Sequence, residues 1–582
     1  MVKQKNKEKN MKIKIFSLLL VMIMVIGVFA SCDLINKGGE EEIPYEGTEY
    51  AVNWKKTELI YELNEHSQSG ELESGTRRYY AGDSQGKVDK IDSAIDVRNA
   101  AAEKEAHVTV KFTYVGSNEE KANAWSANVN RIFEQTSTYG PGSVDIYCNF
   151  AYDMTCAAIK GSFANLKGTY GQANFFEFNK ADYVGTGSNY FDAEAGEGYF
   201  YDYMKSLSLS DDKMFVLGSN YCTDLVRAFV VIPVQIDFLN TIEQKNLPEQ
   251  SYLTAGATNI QHFYNLVWGN AWTYEVLADY AAQVYSNENT AKYASELADA
   301  NIGDKLGFAA GITSGLVSSG ILYTTSVKII NKTPNGDGTY TYSYPSSNAD
   351  LTALSTALQN LFDGGKNAGI TVISANDATA FDGSKTDLIA IRNEFKKGNI
   401  LFGGVIAVGS LEDQAYQSLR ENGNGFGVAP VPLYKAYEAG KNEYQTLVHN
   451  LARIIGVAGQ STKFAQCSAY LDYVSRNSQD ILDEYYEGQL ASMVGGVAST
   501  DNSKMLTYIR NHVRDCFDKT YEDVIGNFNK STDGGAADQN KWHEILSRNR
   551  FILGSGISTN YESLYADKMA DLNTVIAEWK KL

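Results

Sequence analysis

Proline is scarce, with 8 in 582 residues, and cysteine scarcer, with 6. So few prolines, with no second long apolar run, support a large globular protein. No cysteine stands in a CxxC pair or at His/Cys ligand spacing, which argues against a zinc site. Basic residues are in deficit: 51 Lys and Arg against 70 Asp and Glu give a net charge of −19. Neutralising phosphates requires basic patches, so a nucleic-acid partner is disfavoured, and polyanionic ligands with it. The only long apolar run, Phe16–Ala30, covers roughly 22 Å as a helix, short of the ~30 Å hydrocarbon core of a bilayer. Enzyme signatures are missing too. There is no HExxH and no GxSxG. The stretch Gly82-Asp83-Ser84-Gln85-Gly86-Lys87-Val88 is one residue short between its glycines for a phosphate loop, and Val88 stands where a magnesium-holding Ser or Thr belongs. The six histidines are dispersed. Neighbouring carboxylates such as Asp211/Asp212 and Asp483/Glu484 read as exposed charge. Catalysis, a cofactor and a metal are therefore not expected, and no internal repeat is visible.

What is present begins at the N-terminus. Lys12-Ile13-Lys14-Ile15, the apolar run and the small residues after it form a secretory signal peptide. Lys3–Lys9 reads as an upstream extension, with Met11 as the working start. Phe29-Ala30-Ser31-Cys32 resembles the bacterial lipobox, which implies that Cys32 is acylated and becomes the first mature residue. Each buried CH₂ contributes ~0.8 kcal/mol and stable anchoring takes more than one chain, a need that a diacylated cysteine meets. Residues 1–32 are then the signal peptide. Residues 33–55, with Lys37-Gly38-Gly39-Glu40-Glu41-Glu42, form a flexible tether. The rest would be a domain leashed to the outer face of the bacterial cytoplasmic membrane.

The remaining composition, 44% hydrophobic, supports one or more sizeable cores. The 38 Tyr, 25 Phe and 6 Trp fit either a core or rings that stack on sugars. Without Cys32 five cysteines remain, an odd number, with Cys148 and Cys222 one possible disulfide. Helical and strand patterns alternate, as in an α/β protein. Helices are expected at Val88–Glu105, Glu119–Thr136, Met154–Phe163, Trp272–Tyr285, Thr462–Ser475, Ser478–Tyr486, Lys504–Phe517 and Ala566–Lys580. Strands are expected at His107–Val115, Ser143–Asn149, Lys213–Leu217, Arg227–Val234, Ile400–Ile406, Phe426–Val431 and Leu451–Val457. Asn335-Gly336-Asp337-Gly338 marks a hairpin between Val327–Ile330 and Thr339–Tyr344.

Three segments carry a family resemblance. Trp272-Thr273-Tyr274-Glu275-Val276-Leu277 resembles the Pro-Trp-Thr-aromatic-acid helix start of bacterial extracellular solute-binding proteins, family 1, with Ala271 where proline is usual. Phe395-Lys396-Lys397-Gly398-Asn399-Ile400-Leu401-Phe402-Gly403-Gly404 is similar to their Gly-Lys-aliphatic strand. Phe426-Gly427-Val428-Ala429-Pro430-Val431-Pro432 resembles their Gly-hydrophobic-x-Pro-hydrophobic-Pro segment. Order and spacing over roughly 85–525, behind a lipobox, carry the likeness, and Asn527–Leu582 matches no part of it. The family comprises the sugar-type receptors of ABC importers. The resemblance implies a two-lobed, periplasmic-binding-protein-like α/β fold of type II with crossing strands, hinge closure and a helical C-terminus. Crossings at Ala228–Ile236 and Asn450–Val457 would put 56–228 and 450–505 in lobe one, and 229–449 and 506–582 in lobe two. It further implies a carbohydrate ligand, most simply an oligosaccharide, and ABC permease subunits as membrane partners. A peptide receptor is the nearest alternative, and a carbohydrate-active lipoprotein enzyme one from another class.

In such sheets ligands lie beyond the carboxyl ends of strands. That rule points to Tyr152 as a stacking ring and to Asp153 as a hydroxyl acceptor, or else as the cap of the next helix. Ser219, Asn220 and Tyr221 follow another strand and line either the cleft or a turn. Trp272 is a cleft stacker or a core anchor. Thr313 and Ser314 lie in the small, polar stretch Gly311–Gly315, suited to close backbone approach or to a turn. Gly403 and Gly404, inside an apolar strand, point to a close approach of backbone or ligand.

Overall fold

The computed structural model describes residues 50, 52–65, 76–82, 90–115, 125–168, 174–176, 178, 198–286, 305–311, 315–344, 349–362, 369–373, 387–421, 425–490, 499–528 and 561–582. The signal peptide, Cys32 and most of the tether lie outside these residues. Among them no helix is long and apolar enough to cross a membrane. The strands, in chain order, are β1 (Thr57–Asn64), β2 (Val108–Val115), β3 (Ile146–Phe150), β4 (Val230–Gln235), β5 (Leu306–Gly311), β6 (Asn331–Pro334), β7 (Tyr340–Ser343), β8 (Ile370–Ile373), β9 (Ile400–Phe402), β10 (Ile406–Ala407), β11 (Phe426–Ala429) and β12 (Arg453–Val457).

They build two sheets and one hairpin. The first sheet runs β2-β1-β3-β12, with β2, β1 and β3 parallel and β12 antiparallel (Tyr61↔Phe112, Tyr61↔Ile146, Ile455↔Cys148). The second runs β8-β5-β9-β4, again three parallel strands and then an antiparallel one (Phe308↔Ile370, Phe308↔Phe402, Val234↔Phe402). Further segments join the antiparallel strand of each sheet: Leu217 bridges Ile455 in the first, and both β10 and β11 pair β4 in the second. The antiparallel strand of each sheet comes from the chain that passes between them. β4 follows the first sheet's strands and joins the second, and β12 follows the second sheet's strands and joins the first. This is a two-lobed α/β fold of the periplasmic-binding-protein type II pattern, with both lobes built on one strand order.

The central strand of each lobe, β1 and β5, was not recognisable from the sequence pattern, nor was β8. β5 reads Leu-Gly-Phe-Ala-Ala-Gly, too small for a strand signature. Its neighbour demands this: a Cβ on Gly307 would sit 2.1 Å from the Cα of Ala281 in helix Tyr274–Val284. The expected strand Ile400–Ile406 is two strands, β9 and β10, broken at Gly403-Gly404. The helix Lys504–Phe517 is likewise two helices, Ser499–Asn511 and Phe517–Phe528. Arg227 ends the short helix Thr223–Arg227, so the first crossing strand begins only at Val230. The hairpin strands start at Asn331 rather than Val327, around the expected turn. Thr273 caps the helix beginning at Tyr274 by accepting from the Val276 amide.

The sequence assigned 506–582 to lobe two. Helix Phe517–Phe528 instead touches both lobes. Asp518 accepts from the Ile329 amide at 2.9 Å and Glu522 from the Tyr323 hydroxyl at 2.7 Å, while the Tyr521 hydroxyl donates to Leu207 O at 2.8 Å. Helix Tyr561–Trp579 packs on lobe one, where Trp579 meets Phe215 edge-on at 5.0 Å and donates to Ser210. Cys148 and Cys222 are free thiols, buried with the three other cysteines of the globular region.

Candidate functional site

A crevice opens where chain connections leave neighbouring parallel strands toward opposite faces of an α/β sheet, and ligands sit there, beyond the carboxyl ends. In lobe one that point lies between β1 and β3. Asn64 is the last residue of β1, and Asn149 the last but one of β3. The Asn64 Nδ2 donates to Asn149 Oδ1 at 2.7 Å, and the Phe150 amide donates to the same oxygen at 2.8 Å. Asn149 Nδ2 is buried with no hydrogen-bond partner in the protein. Buried polar groups are almost always paired, so an amide left as a donor at a strand-end crevice suits an incoming oxygen acceptor.

A buried charged chain adjoins this pair. Arg453, at the start of β12, donates through Nε to Asn64 O at 2.5 Å and through Nη1 to Asp224 Oδ2 at 2.9 Å. Its guanidinium lies 5.0 Å from the Phe150 ring centroid. Asp224 also receives Arg227 at 2.5 Å, and Arg227 in turn pairs with Glu412 at 2.9 Å. Burial alone would raise the Asp224 carboxyl, but Arg453 and Arg227 together outweigh it and hold it below the usual carboxylate range.

The same topological point in lobe two lies between β5 and β9. Gly311 ends β5, and Gly403-Gly404 follow β9. Gly404 has φ +79°, and a Cβ there would lie 2.9 Å from Ala309 O; one on Gly403 would lie 2.6 Å from the Phe395 ring. Close backbone and side-chain packing thus accounts for both glycines. Thr313 and Ser314, just after β5, lie outside the described residues.

Other expected site residues are buried. Tyr152 and Asp153 begin helix Ala151–Ile159, directly after β3. Tyr152 stacks on Phe150, with ring centroids 6.1 Å apart. Asp153 does not cap its helix; it accepts from Asn128 Nδ2 at 3.2 Å. Burial drives its carboxyl well above the usual range, only partly offset by Asn128, Arg131 and Tyr152. Ser219, Asn220 and Tyr221 face the helices of lobe one. Ser475 Oγ pairs with Ser219 Oγ at 2.9 Å, Asn220 donates to Gln479 at 2.6 Å, and Arg98 lies 4.6 Å over the Tyr221 ring. Trp272 is a core anchor of lobe two, fully buried, with its Nε1 donating to Pro430 O at 3.0 Å and its ring 4.8 Å from Phe263. The fold therefore brings Tyr152 and Asp153 to one strand-end crevice and Gly403 and Gly404 to the other, but not Trp272.

Sequence reasoning missed Asn64, Asn149, Arg453, Asp224, Arg227 and Glu412. Asn149 carries a signal, since it ends the strand expected at Ser143–Asn149, but the strand-end rule points to the residues after it. Among the described residues no group of three or more His, Cys, Asp or Glu side chains could hold a metal.

No protein-family model and no curated protein sequence matches this chain. Solved structures of similar architecture include the GacH receptor of Streptomyces glaucescens GLA.O, studied unliganded and with acarbose. It is 12% identical, with 88% of this chain and 100% of that one covered and a TM-score of 0.41. The maltose/maltodextrin-binding domain MalE from Bdellovibrio bacteriovorus, bound to maltotriose, is 12% identical over 85% of this chain and 99% of that one, TM-score 0.40. An ABC transporter solute-binding protein from Agrobacterium radiobacter K84, in complex with ribitol, is 10% identical over 90% and 99%, TM-score 0.43.

Proposed function

We propose that this chain is a lipid-anchored solute receptor of an ABC importer that captures a carbohydrate between its two lobes and hands it to a membrane permease. The observation that carries the reading is the amide pair Asn64–Asn149 at the lobe-one strand ends, with a buried donor left open. A sugar oxygen can accept from the open Asn149 Nδ2, a neutral donor whose own amide oxygen is already occupied. Asp153, Tyr152, Thr313 and Ser314 complete the proposed lining. Acylation at Cys32 would hold the receptor at the outer membrane face, beside its transporter.

Calorimetric titration of the purified protein with oligosaccharides and, separately, with peptides tests the reading. A saccharide should bind, and at about 100 times its dissociation constant should add about 2.7 kcal/mol to stability. Asn149→Ala should weaken that binding by about 0.5–1.5 kcal/mol, the net value of one neutral hydrogen bond. Binding of peptides but of no saccharide would replace the sugar with a peptide. Sustained hydrolysis of a bound glycan, abolished by one carboxylate substitution, would make the chain an enzyme. Cys32→Ala should leave the protein either released from the membrane fraction or retained only as an unprocessed precursor, told apart by its mass.

A further inference from the structure

We propose that Glu412 is the positioning residue about which the two lobes turn, although it has no contact with the proposed ligand pair. The reading of the chain as a receptor supplies the reason for lobe motion, but the placement of Glu412 rests on geometry alone. Glu412 ends the turn Val408–Glu412, which follows β10 of the second sheet. Arg227 closes the last helix before the chain leaves lobe one. Their contact, Arg227 Nε to Glu412 Oε1 at 2.9 Å, therefore spans the two lobes beside the first crossing.

Burial makes this contact hard to break. The Arg227 side chain is 0% exposed, and so is that of Asp224, which Arg227 must share with Arg453. Two guanidinium groups and two carboxylates make the chain electrically neutral. If Glu412 withdrew, one carboxylate would serve two buried cations, an arrangement that proteins strongly disfavour. The Tyr485 hydroxyl also donates to Glu412 at 2.6 Å, and the Tyr79 ring lies 5.1 Å from the Arg227 guanidinium, edge-on to Tyr485 at 5.3 Å. The arginine is thus enclosed by carboxylate, hydroxyl and aromatic ring. A link whose opening would leave one buried carboxylate to balance two buried arginines stays made while the rest of the interface slides, which is what a pivot does. Through Asp224 and Arg453 the same chain ends on Asn64 O, so the pivot is tied to the strand end that holds the amide pair.

The experiment needs no ligand. Spin labels at Val97→Cys on lobe one and Tyr437→Cys on lobe two, both exposed, report the interlobe distance in the full chain by pulsed dipolar spectroscopy. The native cysteines of the globular region are buried. Glu412→Gln keeps the shape and removes the charge; Tyr485→Phe keeps the charge and removes one hydrogen bond. The expected result is a shifted or broadened distance distribution for Glu412→Gln and a smaller change of the same kind for Tyr485→Phe. Glu438→Gln, which removes an exposed pair with Lys441, should leave the distribution unchanged. If Glu412→Gln fails to fold, Tyr485→Phe alone decides. Distributions superimposable on the parent in every folded variant would overturn the proposal. Failure of any saccharide to bind would leave it standing and count only against the receptor reading.

Discussion

At the scale of single residues, the chemistry of this chain is concentrated in buried charge rather than in an exposed constellation. Asp224 is the clearest case, because one carboxylate with no exposure holds Arg227 and Arg453 together. Replacing it with Asn leaves Arg453 without its carboxylate, and breaking a buried pair in this way should cost about 3–5 kcal/mol. Urea unfolding of Asp224→Asn at neutral pH measures this. The pH dependence has a definite sign. The folded-state carboxyl titrates below its unfolded value of about 3.9, so its contribution is complete above that value and is lost as pH falls through the lower, folded value. The stability gap between parent and variant should therefore be constant above about pH 4 and shrink as pH falls below it. A difference independent of pH would mean that packing, not charge, sets the effect. Asp153 works in the opposite sense, since its burial penalises the ionised form.

At the scale of elements, the glycines show how one backbone position interrupts a strand that sequence reads as continuous. Ile400–Ile406 has an unbroken apolar pattern apart from Gly403-Gly404, and the chain turns there because Gly404 takes φ +79° against Ala309 O. Gly404→Ala would combine an unfavourable left-handed conformation with a 2.9 Å approach to a backbone oxygen that cannot move aside. The expected loss is about 1–3 kcal/mol, read as a lowered urea midpoint with an unchanged slope. An unchanged midpoint would show that the turn relaxes freely. Much of the element pattern was legible: the helix after Thr273, the hairpin turn at Asn335–Gly338, and strands β3, β11 and β12 lie close to their sequence positions. β5 was not, because small residues chosen to admit a helix at close range carry no periodicity. The site followed the same division. Residues after β3 entered the expected lining because that strand is legible in the sequence, and Asn64 did not because β1 is not.

At the scale of the whole molecule, the C-terminal helix Tyr561–Trp579 is a structural part of lobe one. Trp579 is buried against Phe215, and Lys213 Nζ donates to its carbonyl oxygen at 3.3 Å. Trp579→Ala should cost about 3–5 kcal/mol, the usual range for emptying an aromatic core site. Thermal unfolding followed by tryptophan-independent circular dichroism checks it, and an unshifted transition would show that the helix docks without supporting the lobe. Hairpin β6–β7 adds a second link across the molecule. Tyr342 donates to Leu209 O at 2.9 Å, and Lys332 Nζ to Ser208 O at 2.6 Å. Burial lowers the Lys332 amine to about 8. These contacts join the same lobe-one loop that receives Tyr521 and Trp579, so the side of the molecule carrying the C-terminus is braced by several elements at once.

By itself the sequence determined the alternation of helix and strand and the two points where the chain passes between sheets, and it carries the expectation of an N-terminal lipid anchor. These are local properties: an apolar run before a cysteine, a period of hydrophobicity, a capped helix start. Which lobe received the C-terminal helix, whether Trp272 faced a cleft or a core, and which residues met at the strand ends were decided by tertiary structure. Trp272 looks the same in sequence either way, and only the surrounding Phe263, Phe402 and Pro430 make it an anchor. Asn64 and Asn149, 85 positions apart, become neighbours because β1 and β3 pair in register. The four-charge chain from Glu412 to Arg453 spans still greater separations, and its meaning as an interlobe contact exists only once both sheets are in place.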